Sequence, residues 1–113
     1  MYEYSAKLIR VIDGDTIDAM VDLVFDVWVK KRVRLYGINT PEVRTRDLEE
    51  KKAGIEAKKR LEELLEGVDG RFILCSRGIG KYGRCLGELL IGEFGEIHIN
   101  NKLLHEGYAE KYE

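Results

Sequence analysis

The stretch that decides the fold class is residues 16–35, TIDAMVDLVFDVWVKKRVRL. Ile17, Ala19, Val21 and Leu23 alternate with Thr16, Asp18, Met20 and Asp22, the period of two that marks a half-buried strand. A second alternation runs from Val27 to Leu35. Val27, Val29, Val33 and Leu35 share one face, and Trp28, Lys30, Arg32, Arg34 and Tyr36 share the other. Arg34 therefore sits on a basic, aromatic face. Upstream, the chain reads as extended from Tyr2, with Asp13-Gly14-Asp15 interrupting it as a turn. Downstream, Gly37 and Pro41, the only proline, mark a loop, because the prolyl ring biases Thr40 towards extended backbone.

Past that loop, Val43 to Lys52 is highly charged, with no clear period until Ala57, Leu61, Leu64 and Leu65 fall at helical spacing; Gly67 ends the helix. Two strands are expected near Arg71–Arg77 and Cys85–Ile91, joined by a glycine-rich, basic loop from Gly78 to Arg84. Phe94 to Ile99 reads as one more short strand, and Asn100 as the cap of a short helix that stops at Gly107. About five strands with a helix inserted after the third predict a small, bent antiparallel barrel with helices covering one end, OB-like in outline. The same periodicities fit an open α+β sheet.

The chain has 113 residues, 44% hydrophobic and 35% charged, which is room for one domain and one core. No apolar run approaches the roughly 20 residues that span a bilayer, and the start MYEYSAKLIRV does not read as a signal peptide, so the expectation is an intracellular protein with no membrane partner. The formal net charge of -2 argues at first against a phosphate-rich partner. The total hides a division. Val27 to Arg84 holds 15 Lys or Arg against 9 Asp or Glu, and the remainder holds 4 against 12. Cys75 and Cys85 lack metal-ligand spacing and read as free thiols; His98 and His105 read as surface or satisfied histidines.

Three segments could carry chemistry. Asp13-Gly14-Asp15-Thr16 presents two carboxylates at a turn, hard oxygen ligands suited to Ca²⁺ or Mg²⁺, although the same residues are plain turn formers. Its spacing does not match an EF-hand loop, since Asp18 and Val24 stand where the glycine and the bidentate glutamate belong. Arg34 to Glu42 ends a strand with an arginine and follows it with a constrained loop bearing an amide, a hydroxyl and a carboxylate. In Gly80-Lys81-Tyr82-Gly83-Arg84 the glycines permit close backbone approach, and Arg84 offers a planar fork of donors for phosphate oxygens. Each segment taken singly also fits a turn with surface charge.

In this order and spacing the three segments resemble the staphylococcal nuclease (thermonuclease) family. The likeness runs from Val11-Ile12-Asp13-Gly14-Asp15-Thr16, through Arg34 and Thr40-Pro41-Glu42 and Lys81-Tyr82-Gly83-Arg84, to Leu103-Leu104-His105-Glu106-Gly107-Tyr108-Ala109. The resemblance implies a single domain over residues 1–113, a mainly β, α+β fold built on a five-stranded OB-fold barrel, without the family's last C-terminal helix. It also implies a Ca²⁺-dependent nuclease that hydrolyses DNA or RNA with little sequence preference and leaves 3′-phosphates; for a barrel this small a monomer is expected. Carried over position by position, Asp15, Asn39 and Thr40 match metal ligands, Thr40 through its backbone carbonyl. Glu42 matches the general base, Arg34 and Arg84 the two arginines that grip the scissile phosphate, and Lys81 and Tyr82 contacts to the neighbouring phosphate. Asp13 has a supporting place beside the metal.

Two positions depart from the family pattern. Where it has a second metal-binding aspartate, this chain has Asn39, which keeps a carbonyl oxygen but removes a charge, so weaker Ca²⁺ binding is expected. The tyrosines that pack near the nucleotide base have no clear match, and Tyr112 is displaced. The alternative to a nuclease is a catalytically weak or inactive barrel that binds nucleic acid or protein.

Overall fold

The computed structural model describes residues 2–80 and 83–112. Two strands, β1 (Tyr2–Asp13) and β2 (Thr16–Asp22), meet at the Gly14-Asp15 turn, and β3 (Trp28–Leu35) pairs antiparallel with β2. The chain then makes the two-residue β4 (Ile38–Asn39), the helix α1 (Leu48–Glu66), β5 (Arg71–Ile79) and β6 (Cys85–Ile91). It closes with β7 (Ile97–His98), the helix α2 (Ile99–His105) and β8 (Glu110–Lys111). The main sheet runs β3-β2-β1-β5-β6-β7, and a further pairing of β3 with β6 closes the five long strands into a barrel of the OB type.

That closure corrects the expectation of an all-antiparallel barrel. Val33, Arg34 and Leu35 pair in parallel with Cys85, Leu86 and Gly87. Alternation along a strand gives its buried face but not its direction relative to a distant partner, so the sequence pattern is silent on this seam. Ile17, Val33, Leu35, Leu74 and Leu89 fill the interior, and Leu61 and Leu65 of α1 and Ile99 and Leu103 of α2 cover it.

Three local expectations also change. The helix begins at Leu48, inside the charged run: Asp47 accepts hydrogen bonds from the N–H groups of Glu49 and Glu50, whose acidic side chains suit the positive end of the helix dipole. The strand expected from Phe94 shrinks to Ile97–His98, because Gly92 and Gly95, both at positive φ, fold the preceding residues into a turn. The cap of α2 is His98, whose ring nitrogen accepts from Asn101 N–H. Asn100 lies inside the helix and is 2% exposed. Its Oδ1 accepts from Leu89 N–H at 3.1 Å, and its Nδ2 donates to the carbonyls of Tyr36 (2.9 Å) and Gly87 (3.1 Å). One amide thus ties α2 to both sides of the barrel seam. Cys75 and Cys85 are buried free thiols, and burial pushes both up from the ordinary thiol range. Among the described residues no helix is long and apolar enough to cross a membrane.

Candidate active site

The turn that carries Asp15 is positioned by a glycine with no spare room. A Cβ on Gly14 would stand 2.7 Å from the Cβ of Ala57 on α1 and 3.0 Å from the side chain of Thr40, so only glycine lets helix, turn and loop meet. Asp15 is itself buried. Its Oδ1 accepts from the Thr16 hydroxyl at 3.0 Å, its Oδ2 accepts from Thr40 N–H at 3.0 Å, and its main-chain carbonyl accepts from Leu35 N–H at 2.8 Å. Arg34 Nη2 lies 3.4 Å from the same Oδ2. At the head of the turn, burial pushes the Asp13 carboxyl up from its ordinary range. The Asp15 charge adds to this, and Lys58, Arg44 and Arg34 oppose it.

Arg34 leaves the outward face of β3 and is held from several sides. Nη2 donates to Asn39 Oδ1 at 3.2 Å, Nη1 donates to the Leu35 carbonyl at 3.0 Å, and the guanidinium lies 5.7 Å from the centre of the Tyr112 ring. Both outer partners arrive through one small ladder. β4 pairs with β8, Asn39 opposite Glu110, and Tyr112 N–H donates to the Gly37 carbonyl at 2.9 Å. Arg84, just before β6, lines a cavity of about 420 Å³ together with Arg34, Tyr36, Asn39 and Tyr112.

Glu42 faces a neighbouring cavity of about 480 Å³, which it lines with Asn39, Thr40, Glu50 and Tyr108. α1 holds its loop at two points. Glu50 Oε2 accepts from Glu42 N–H at 3.2 Å, and one turn on, Gly54 brings the helix against the carbonyls of Pro41 and Glu42. The structure therefore joins Asp15, Arg34, Asn39 and Thr40 by direct contact, sets Arg84 on the same cavity as Arg34, and places Glu42 in the adjoining one, with Asn39 common to both. Lys81 and Tyr82 lie outside the described residues.

Among the described residues no group of three or more His, Cys, Asp or Glu side chains gathers at one point. The Asp15 carboxylate and the Asn39 amide oxygen share Arg34 Nη2, the Thr16 hydroxyl lies on Asp15 Oδ1, and the Thr40 hydroxyl oxygen is buried with no hydrogen-bond partner. These are hard donors with one formal negative charge. They fit a weakly held Ca²⁺ whose six to eight ligands are completed by water or substrate oxygens. Alternation along β3 places Tyr36 on the face of Arg34, but the place of Tyr112 beside Arg34 rests on the pairing of β8 with β4, which no local pattern records. Gly54 does carry a local signal, since a glycine within a helical run costs about 1 kcal/mol and usually marks close packing.

Comparison with known families matches the chain to the model described as staphylococcal nuclease homologue over residues 32–113, a span that includes Arg34, Asn39, Thr40, Glu42 and Arg84. No curated protein matches the chain.

Proposed function

The chain belongs to the family of staphylococcal nuclease homologues, and from that premise we propose that it hydrolyses phosphodiester bonds of DNA or RNA, with little preference for sequence. The observation that carries this reading is that Arg34, on β3, and Arg84, just before β6, line one cavity at the barrel seam. Two forks of donors facing one space suit the nonbridging oxygens of a phosphate, and they suit best the transition state, in which charge on those oxygens grows.

Glu42, at the rim of the adjoining cavity, takes the proton of the attacking water. The water oxygen bonds to phosphorus as the bond to the 5′ oxygen breaks, and that oxygen leaves as a hydroxyl with a proton taken from solvent, to which Glu42 returns its own, so the 3′ side keeps the phosphate. Asp15, Asn39 and Thr40 would hold Ca²⁺, which supplies positive charge beside the reacting phosphate and a place to lower the pKa of water. Tyr36 and Tyr112 wall the phosphate cavity with aromatic surface on which a base can rest. Lys81 and Tyr82 are assigned, from the family pattern alone, to the next phosphate. The working unit is a monomer of one domain.

The test is cleavage of single-stranded DNA with Ca²⁺ and with chelator, beside Glu42→Ala and Arg84→Ala. Chelation should abolish cleavage and each substitution lower it by about 10²–10³-fold. Activity indifferent to all three sinks the assignment. One observation favours a binding module instead: the amide at Asn39 is spent on Arg34, leaving Asp15 as the single charged ligand. Gel shift without cleavage at any Ca²⁺ concentration would support that reading.

A further inference from the structure

The outward face of the barrel beyond Arg34 is lined with cations that the proposed chemistry does not use. The strand register defines it. Lys7 stands opposite Arg71 on one side and Met20 on the other, and Met20 stands opposite Lys30, so one row across four strands carries Arg71, Lys7 and Lys30. The next row carries Arg10, Asp18 and Arg32, and the one after it Asp13, Thr16 and Arg34. Along β3 alone the outward residues are Trp28, Lys30, Arg32 and Arg34.

Across the rows from Trp28 to Arg34 this face holds six cations, Lys7, Arg10, Lys30, Arg32, Arg34 and Arg71, against three acids, Asp13, Asp18 and Asp22. Lys7 and Arg71 are like charges directly opposite each other, an arrangement that destabilises a sheet. Among the described residues Lys7, Lys30 and Arg71 have no ion pair. The acid in the middle is hidden: Asp18 is 2% exposed beneath Arg10 and Arg32, whose side chains stay 61% and 47% exposed. Asp13 shares its row with Arg34, and Asp22 stands directly opposite Trp28. Asp22 accepts from Val24 N–H, and Glu93 shares with Lys7, Arg71 and Trp28 a cavity of about 620 Å³. Trp28, the only tryptophan, is half exposed beside those two cations.

We infer that this face is the path of a single-stranded nucleic acid leaving the Arg34–Arg84 site, with its phosphates on Lys30, Arg32 and Lys7 and a base stacked on Trp28. The inference rests on the phosphate-gripping reading of those two arginines. Outward residues two apart on a strand are about 6.6 Å apart, so Trp28 lies about 20 Å from Arg34 along β3. A path of that length takes about four nucleotides, the short end of what one OB barrel covers. A single strand fits better than a duplex, because only unpaired bases can turn onto an indole while their phosphates follow the cations.

The experiment uses the whole chain in chelator, so that nothing is cut, with a twelve-nucleotide thymidine oligomer and a thymidine dinucleotide as probes. The oligomer should quench Trp28 fluorescence and the dinucleotide, too short to reach from Arg34, should not. A Lys7→Gln, Lys30→Gln double variant, whose thermal midpoint should be no lower than that of the wild type, should bind the oligomer about tenfold more weakly at low salt. Its salt slope should be smaller by about 1.4, at about 0.7 for each of the two phosphates left without its lysine, and its dinucleotide affinity unchanged. Unchanged oligomer affinity and slope overturn the path, as does equal quenching by both probes. Arg84→Ala reads the clamp separately. Weaker binding of both probes supports it, and undiminished binding of both refutes the clamp and with it a path that starts there.

Discussion

Replacing Gly54 by alanine should slow the reaction at a cost to the fold of at most about 2 kcal/mol. A Cβ at this position would stand 2.7 Å from the Glu42 carbonyl oxygen, 2.8 Å from that of Pro41 and 2.9 Å from the Glu42 carbonyl carbon, where ordinary contact begins at 3.4 Å. All three atoms are main chain, so no rotamer change relieves the clash. The loop must retreat from the helix by roughly 0.6 Å, carrying Glu42 with it. Overpacking of this kind costs about 1–3 kcal/mol, and alanine returns about 1 kcal/mol of helix propensity. The net loss is about 0–2 kcal/mol, or up to about 8 °C in the thermal midpoint of a chain this size. Catalysis is less forgiving, since a displacement of about 1 Å near a reacting group costs about 10²-fold. Half of that displacement gives a fall of about tenfold in single-turnover cleavage, with oligonucleotide affinity in chelator unchanged. Gly67→Ala is the control, because its nearest neighbours are 3.6 Å away and it should change neither quantity. A Gly54→Ala protein that cleaves at the wild-type rate and melts higher would refute the argument that α1 sets the position of Glu42.

Asn39→Asp adds a second charged oxygen beside Asp15 and should tighten Ca²⁺ binding; calorimetric titration giving equal affinities refutes this. Asn100→Ala strands the Leu89 N–H and the Tyr36 carbonyl at the seam, while the Gly87 carbonyl keeps the Tyr36 N–H, and should cost about 2–4 kcal/mol in urea unfolding, with a loss under about 1 kcal/mol counting against that role. Hydrogen bonds from Arg32, more than those from Arg10, hold the Asp18 carboxyl down to about 2 against the opposing effect of burial. A depressed carboxyl contributes its full stability above the ordinary range near 4 and loses it as pH falls towards 2, here about 1–2 kcal/mol after screening by solvent. The stability gap between wild type and Asp18→Asn should therefore narrow between about pH 6 and pH 2.5, and a constant gap excludes the mechanism.

What could be read from the sequence divides by the range of the interaction. Strands β1, β2, β3, β5 and β6 declare themselves because alternation is local, and the Gly14, Gly37 and Gly67 boundaries because turn chemistry is local. The start of α1 is equally local, in Asp47 followed by Glu49 and Glu50, but a charged run hides the cap. Asn100 looks like a cap because Asn is a good one, and tertiary context spends its amide on the barrel instead. The candidate site residues stand out by type and order, yet their distribution over two cavities meeting at Asn39 depends on non-local pairings that no single segment records. Tyr112 reaches Arg34 only because β8 folds back onto β4.

The parallel seam between β3 and β6 also sets when the site comes into being. Its two edges lie about 50 residues apart in the chain, and like the pairing of β1 with β5 it closes a far longer loop than the β1–β2–β3 turns, so it is expected to follow them in folding. Arg34 and Arg84 ride on those edges. A nascent or half-folded chain, with β1, β2 and β3 already paired, holds one arginine without the other, and phosphate binding recovered during refolding should lag the return of β-sheet signal. If both return together, the seam is not the late step. A pair of arginines placed this way meets only once the barrel has shut.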